Sequence, residues 1–145
     1  MGVQAGEARG RPAAENEEAL RDAAERGRTA EVRVLLAAGT DPDAADRDGW
    51  TALYLAAGED EQDAVNALAE GGADLDKVDK DGVAPLMEAA RYGHSGVVRR
   101  LLELGADHKA VGKRGIYKGK TALEVAEEHG RPAAAVLREW AASHP

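Results

Sequence analysis

The sequence has no cysteine and no phenylalanine, and its 145 residues include only two tryptophans and three tyrosines. Without cysteine, disulfide bonds and thiolate metal sites are excluded, which suits a reducing compartment. Aromatic and β-branched residues are too scarce for an extensive sheet. The apolar residues are mostly alanine, with some leucine and valine, and alanine favours helix. The composition therefore indicates an all-α protein whose helices pack closely.

Long apolar runs are also missing. No stretch approaches the roughly 20 residues of a membrane-spanning helix. Residues 1 to about 15 contain no apolar segment that could act as a secretory signal. We expect residues 1–15 to form a flexible tail and residues 16–145 to form the folded domain. The expected location is the cytoplasm, with the nucleus as a second possibility in a eukaryote, and membrane binding is not expected.

Basic residues are outnumbered, and the formal net charge is −8. Residues 49–81 hold nine acids and two bases, whereas residues 82–118 hold three acids and seven bases. The chain is thus acidic in its first half and has one basic segment. A nucleic-acid binder usually shows a wider basic surface, so nucleic acid is not an expected partner.

An internal repeat with a period of 33 residues organises the chain. Leu20, Leu53 and Leu86 keep this spacing. The same register relates Ala23-Ala24, Ala56-Ala57 and Ala89-Ala90; Val32, Val65 and Val98; Leu35, Leu68 and Leu101; Gly39, Gly72 and Gly105; and Asp41, Asp74 and Asp107. A fourth copy begins at "TAL", where Leu123 lies 37 residues beyond Leu86, so four residues are inserted before it. Such a period is typical of a repeat protein.

Each copy indicates a turn followed by two short helices. In "DGWTALYLAA", Asp48-Gly49 forms the turn and Thr51 caps the first helix. Gly72 ends the second helix, and Pro85 lies just inside the first helix of the third copy, where a missing N–H costs nothing. One such pair cannot bury its apolar face alone, whereas stacked copies form an elongated solenoid.

From about residue 16 to residue 142, the sequence resembles the ankyrin-repeat family. The family's "TPLHxAA" opening appears as "TALYLAA" at 51–57, "APLMEAA" at 84–90 and "TALEVAE" at 121–127. Its "GADxN" close appears as "GTDPD" at 39–43, "GADLD" at 72–76 and "GADHK" at 105–109. The resemblance implies an all-α ankyrin-repeat α-solenoid of four stacked helix-turn-helix repeats with β-turn hairpin loops. The implied repeats cover residues 16–47, 48–80, 81–118 including the insertion, and 119–142.

The chain departs from the family pattern at several positions. The family's histidine after the leucine is replaced by Tyr54, Met87 and Glu124. Because that histidine normally ties neighbouring loops by hydrogen bonds, we expect less rigid loops. Asp60 stands where the family has glycine between the helices, next to the acidic run "GEDEQD". These features predict that the second repeat is the least stable. In the last repeat, Trp140 is expected to cover the end of the stack.

The stretch "GKRGIYKGKTALEVA", residues 112–126, partly resembles a phosphate-binding loop. That loop needs a glycine, four residues and then Gly-Lys-Ser/Thr, following a buried strand. Here Arg114 stands five residues before Gly119, and a helix end and loop precede the stretch. We therefore predict a lengthened hairpin between the third and fourth repeats, with its bases facing solvent: Lys113, Arg114, Lys118 and Lys120. A nucleotide-binding enzyme remains an alternative on this stretch alone.

Neither a metal site nor a catalytic centre has a recognisable pattern. The four histidines are widely separated. Asp41, Asp43, Asp46 and Asp48 alternate loosely as calcium ligands do, but their segment lacks the glycine and closing glutamate of a helix–loop–helix calcium site. We therefore predict a protein that is not an enzyme and that uses no cofactor or metal.

The resemblance implies that turn tips and inner helices line a concave surface that grips a protein partner. Carried over by position, the exposed partner-binding residues are Arg47, Trp50, Tyr54, Lys80, Val83, Met87, Arg91, Tyr92, Arg114, Ile116, Tyr117 and Lys118. Tryptophan, tyrosine and arginine supply most interface hot spots. Tyr117 stands out because the repeat itself does not require an aromatic there. The bases around it favour a partner with an acidic patch facing the 112–120 hairpin.

Two functions follow. The favoured one is a monomeric, non-enzymatic protein–protein interaction module that acts as an adaptor or inhibitor. The alternative is a structural or regulatory repeat unit of a larger assembly, without a specific ligand on its concave face.

Overall fold

The computed structural model describes residues 4–145, and within that range the chain forms nine α-helices and one short 3₁₀ helix. The helices are α1 (Ala5–Gly10), α2 (Ala13–Glu25), α3 (Thr29–Ala37), α4 (Ala52–Gly58), α5 (Gln62–Glu70), α6 (Pro85–Arg91), α7 (Ser95–Leu104), α8 (Ala122–Glu128) and α9 (Ala133–Ser143), and the 3₁₀ helix is Gly115–Tyr117. Strand-like pairing in this part of the chain is limited to a bridge between Gly112 and Lys118.

The helices stack in two layers. Four consecutive antiparallel pairs are formed by α2 with α3, α4 with α5, α6 with α7, and α8 with α9. The first helix of each pair packs on the first helix of the next pair and makes an inner layer; the second helices stack likewise and make an outer layer. The predicted all-α repeat solenoid is confirmed.

The repeat register sets this packing. Leu20, Leu53 and Leu86 are buried, and so are the paired alanines of the inner helices. Small alanine side chains let neighbouring helices approach closely, and the leucines fill the spaces between pairs. The outer helices contribute valine and leucine from the same register, including Val65 and Leu101, which are fully buried.

The helix starts follow the sequence signals. The Thr51 hydroxyl accepts a hydrogen bond from the Tyr54 backbone N–H at 3.1 Å, and Thr121 forms a reciprocal capping box with Glu124. Pro85 is the first residue of α6. These caps confirm the predicted starts of three inner helices.

The link between the two helices of each pair needs a left-handed residue. Gly27, Gly93 and Gly130 have φ values of 71°, 74° and 59° there, and Asp60 takes the same conformation with φ of 61°. Glycine adopts this region without steric cost, whereas an aspartate does so less readily. The prediction that Asp60 occupies a glycine position is confirmed.

The N-terminal segment differs from the flexible tail expected over residues 1–15. Residues 5–10 form α1, which packs against α3. Ala8 is buried, and its carbonyl accepts a hydrogen bond from the Asn16 side chain, which in turn accepts one from Arg11 at 2.9 Å. These contacts hold α1 against both helices of the first pair. Residues 1–3 of the expected tail lie outside the described residues.

Candidate protein-binding groove

Turn tips project beyond the inner helices, and an aspartate shapes each of the first two. Asp46 Oδ1 accepts hydrogen bonds from the N–H groups of Asp48 (2.9 Å) and Trp50 (3.0 Å). Asp79 Oδ1 accepts from Asp81 and Val83, both at 2.9 Å. These carboxylates hold their own backbone turns, as is typical of aspartate in turns. Their recurrence in the sequence therefore has a structural cause.

Neighbouring turn tips touch. The Lys80 N–H donates to the Asp48 carbonyl at 3.1 Å. Gly49 has φ of 81°, and a Cβ there would lie 2.8 Å from Lys80 N. Likewise, a Cβ at Gly82 would lie 2.7 Å from Lys113 N. Glycine is therefore required at these tips by the close approach of the next turn, and backbone contacts tie the loops together where the family's histidine is missing.

A groove runs between these tips and the inner helices, and it contains two adjoining clefts. The central cleft, about 510 Å³, is lined by Glu25, Trp50, Tyr54, Leu55, Gly58, Glu59, Glu88, Tyr92, His94 and Arg131. The loop cleft, about 620 Å³, is lined by Asp48, Trp50, Tyr54, Asp79, Lys80, Asp81, Val83, Glu88, Arg91, Tyr92, Arg114, Gly115, Ile116 and Tyr117. Four residues form the wall that both clefts share: Trp50, Tyr54, Glu88 and Tyr92. Both volumes are large enough to take several side chains of a partner.

Trp50 is a fixed aromatic in this wall. Its ring stacks on Tyr54 with centroids 5.8 Å apart and planes 8° from parallel, and its indole N–H donates to Asp79 Oδ2 at 3.2 Å. The residue still keeps 36% of its surface exposed. A side chain held on two sides and open on the third loses little entropy when a partner covers it.

Glu88 is the charged member of the wall and is only 9% exposed. Burial raises the pKa of its carboxyl above the usual value, while the Tyr54 hydroxyl and the Arg91 charge act in the opposite direction. Its Oε1 lies 3.9 Å from Arg91 Nη1, which is too long for a hydrogen bond, and has no hydrogen-bond partner among the described residues. Burial, followed by the charges of Glu88 and Asp79, raises the pKa of Tyr54, so its hydroxyl stays protonated.

The 112–120 loop folds back against the inner helices. Two backbone hydrogen bonds at Gly112 close the loop. The Gly112 N–H donates to the Lys120 carbonyl at 3.0 Å, and the Gly119 N–H donates to the Gly112 carbonyl at 2.8 Å. Tyr117 is 2% exposed, and the Arg91 guanidinium lies 5.9 Å from its ring centroid and 5.2 Å from that of Tyr92. Arg91 thus joins the loop to α6.

The predicted partner-binding residues divide into a surface group and a buried group. Trp50, Lys80, Tyr92, Arg114 and Ile116 are exposed on the walls of the clefts, and Arg91 is half-buried there. Arg47 and Lys118 are exposed but belong to neither lining. Tyr54, Val83, Met87 and Tyr117 are buried, at 6%, 6%, 2% and 2% exposure. Their expected exposure is wrong, because all four side chains belong to the packed core, and the Trp50 ring stacks on Tyr54. The view of Tyr117 as a projecting side chain is corrected in particular: it anchors the loop.

Sequence reasoning missed Glu88, although a signal was present. The 33-residue register aligns Glu88 with Asp22 and Leu55, and the fourth copy has Val125 at the matching position, 37 residues on. Two of the four copies have an apolar residue at this position, so a carboxylate there indicates an ionisable group in a poorly solvated place. Glu88 could therefore be identified from the repeat register, but only if the charged residues of the repeats were compared as well as the apolar ones.

The residues of the glycine-lysine stretch have structural partners. Thr121 caps α8, and Lys120 Nζ forms an ion pair with Glu128 Oε1 at 2.5 Å. Lys113, Arg114 and Lys118 face solvent as predicted. Over residues 4–145, no group of three or more histidine, aspartate or glutamate side chains is placed to hold a metal ion. In the same range, every helix is too short or too polar to cross a membrane.

Comparison with known families gives one match. The family model described as ankyrin repeats (3 copies) matches residues 20–112 and 72–143, which together cover most of the chain. No curated protein matches the sequence.

Proposed function

Because the chain belongs to the ankyrin-repeat family, whose members are generally protein–protein interaction modules, we propose that it binds a segment of another protein along the groove. An adaptor and an inhibitor would use this surface in the same way. The proposal describes a monomeric, non-enzymatic chain that acts in a reducing compartment such as the cytoplasm, as its cysteine-free sequence favours.

The observation that carries the proposal is a row of exposed apolar side chains along the clefts. Trp50, Tyr92 and Ile116 are 36%, 45% and 72% exposed, and all three line the loop cleft. Protein interfaces are built around aromatic and aliphatic anchors with a charged rim. Here the anchors lie between fixed turn tips, so the surface is largely preformed.

The charged rim favours an acidic partner segment next to the loop. Lys113, Arg114 and Lys118 are exposed, and none of them forms an ion pair with another described residue. Like-signed bases on a rim speed association with an acidic surface and make it dependent on salt. We therefore place the partner's acidic patch opposite the 112–120 loop.

Site-specific photo-crosslinking tests the proposal. A photoreactive amino acid at Ile116 is expected to crosslink a partner in lysate from the source cells. The same group at Arg99, exposed on the outer helix α7, is the matched control and is expected to give no specific product. Crosslinks from Arg99 without crosslinks from Ile116 would contradict the proposal and favour the alternative of a structural unit that assembles through its outer face.

A further inference from the structure

We propose, building on the proposed function, that the central cleft receives a lysine or arginine side chain of the partner segment. The cation would lie against the aromatic wall and neutralise the Glu88 carboxylate. This inference fixes the chemistry of one partner residue, whereas the proposed function requires only that a protein segment occupies the groove.

The first argument is the state of Glu88. It is nine-tenths buried, it lines both clefts, and its Oε1 has no hydrogen-bond donor among the described residues. A buried carboxylate oxygen without a donor is costly, so a donor that arrives with a partner gains more here than on an exposed acid. Arg91 does not fill this role, because its nearest nitrogen is 3.9 Å away.

Access to that oxygen involves Arg91. The Oε1 atom itself has almost no exposed surface, whereas the Arg91 side chain is 39% exposed. The Arg91 guanidinium already rests near the rings of Tyr92 and Tyr117. We place the incoming ammonium or guanidinium group next to Arg91, which would keep its own contact with an aromatic face while Glu88 turns Oε1 toward the cation.

The second argument is the composition of the cleft around Glu88. The ring of Trp50 stacks on that of Tyr54, and Tyr92 stands at the other side of the shared wall. Aromatic faces attract cations, and tryptophan does so most strongly. The same lining contains two further acids, Glu25 and Glu59, and one arginine, Arg131. Both the rings and the excess of acid favour a cation over a neutral or acidic side chain.

The two charge regions give the partner segment a polarity. The central cleft is acidic, and the neighbouring 112–120 loop is basic. A segment that places a base over Glu88 and acids over Arg114 and Lys118 matches both at once. A segment in the opposite orientation would place like charges against each other at both ends, which is destabilising.

The test selects binders from a phage-displayed library of random twelve-residue peptides on the full chain. The best peptide is synthesised twice, once with its basic residue and once with glutamine in that place. Both versions are titrated by calorimetry into the wild-type chain, into Glu88→Gln and into Glu139→Gln, a matched change on the exposed side of α9.

We expect the selected peptides to share a lysine or arginine, and its replacement by glutamine to weaken binding about tenfold or more on the wild-type chain, as loss of a charge-assisted contact does. Glu88→Gln should weaken the original peptide to the same extent, and the peptide change should then have no further effect. Glu139→Gln should bind like the wild-type chain. Glu88→Gln retains the size of the side chain, and circular dichroism checks that each variant is folded.

The outcomes separate the two proposals. Tyr92→Ala is expected to weaken any peptide that binds in the groove, so it identifies groove-bound peptides. If such peptides share no base, the cation site alone is overturned. The same holds if replacing the base weakens binding to Glu88→Gln as much as it weakens binding to the wild-type chain. Failure to select any peptide, or peptides that bind Tyr92→Ala as well as the wild-type chain, would overturn the proposed function together with this inference.

Discussion

At the residue scale, the left-handed aspartate is the clearest local weakness. Asp60 has φ of 61° in a turn where the other three pairs place glycine. An L-residue other than glycine pays a steric cost in this conformation, although aspartate pays less than most. Replacing Asp60 with glycine would relieve this cost, but glycine loses more backbone freedom on folding, which offsets part of the stabilisation.

We therefore expect Asp60→Gly to raise the free energy of unfolding by about 0.5–1 kcal/mol. Urea denaturation followed by circular dichroism measures this. Asp63→Gly provides the opposite control, because Asp63 lies in the first turn of α5 and glycine within a helix is destabilising. A loss of stability in Asp60→Gly would show that the aspartate side chain contributes more to the turn than its backbone strain costs.

Glu88 should make stability depend on pH. Its pKa is raised above the usual value near 4.5 mainly by burial; Asp79 and Glu59 add to this, while Tyr54 and Arg91 oppose it. The folded protein thus binds this proton more tightly than the unfolded chain. The contribution of Glu88 to stability is fully present below pH 4.5 and is lost as the pH rises through the raised pKa.

Replacing Glu88 with glutamine should consequently increase the free energy of unfolding at pH 7, and the increase should shrink as the pH falls to 4. Denaturant titrations at pH 7, 5.5 and 4 test the sign, with Glu139→Gln as the exposed control. A gain of equal size at every pH would assign the effect to packing rather than to the carboxylate charge.

At the element scale, the 112–120 loop is a packed part of the fold. Tyr117 is 2% exposed, and its hydroxyl has no hydrogen-bond partner among the described residues. The ring supplies apolar burial and contacts Arg91, while the hydroxyl is desolvated without compensation. The two parts of this side chain should therefore have opposite effects on stability.

Tyr117→Ala should lower the free energy of unfolding by about 3 kcal/mol, as truncation of a buried aromatic does. Tyr117→Phe should leave it unchanged or raise it slightly, because it removes a buried hydroxyl without a partner. Thermal and urea unfolding of both variants give the comparison. If the alanine variant lost less than about 1 kcal/mol, the loop would not be anchored through this ring.

The outer helices differ in the apolar surface they bury. Among their buried residues, α7 has two valines and two leucines, whereas α5 has one valine, one leucine and two alanines. Smaller side chains remove less apolar area from water. This difference favours a second repeat that is less stable than the third. That the second repeat is the least stable of the four remains a prediction.

The second pair should accordingly open before the third. Hydrogen exchange should show faster exchange at residues 62–70 than at residues 95–104 under native conditions. Added salt should reduce the difference by screening the acidic run that precedes α5. Equal protection of the two helices at low salt would contradict the prediction.

At the scale of the whole molecule, the repeat register made the architecture predictable. Leucine, alanine and glycine at a period of 33 residues require stacked helix pairs, because a single pair leaves its apolar face uncovered. The caps at Thr51 and Thr121 could be identified because they depend on neighbours in sequence. The burial of Tyr54 and Met87 could not, since it depends on how closely neighbouring helix pairs pack. The same applies to Tyr117, whose loop could equally have projected or folded back.

The charge distribution of the whole stack also has a direction. The second pair and its turns are acidic, and the region from α6 to the 112–120 loop is basic. A field of this kind orients a partner during approach, and it weakens at high ionic strength. Association in the proposed orientation should therefore be fastest at low salt, whereas the apolar contacts of Trp50 and Tyr92 should depend little on salt.

The placement of the two indole rings has a spectroscopic consequence. Trp50 lies in the wall of both clefts. Trp140, in α9, stacks on His144 just after the helix end, with ring centroids 3.9 Å apart. Excitation at the red edge of the absorption band selects tryptophan emission, so a chain carrying Trp140→Phe would emit from the groove alone. Its fluorescence maximum would then shift to shorter wavelength as a bound segment removes water from the Trp50 ring, without any attached dye.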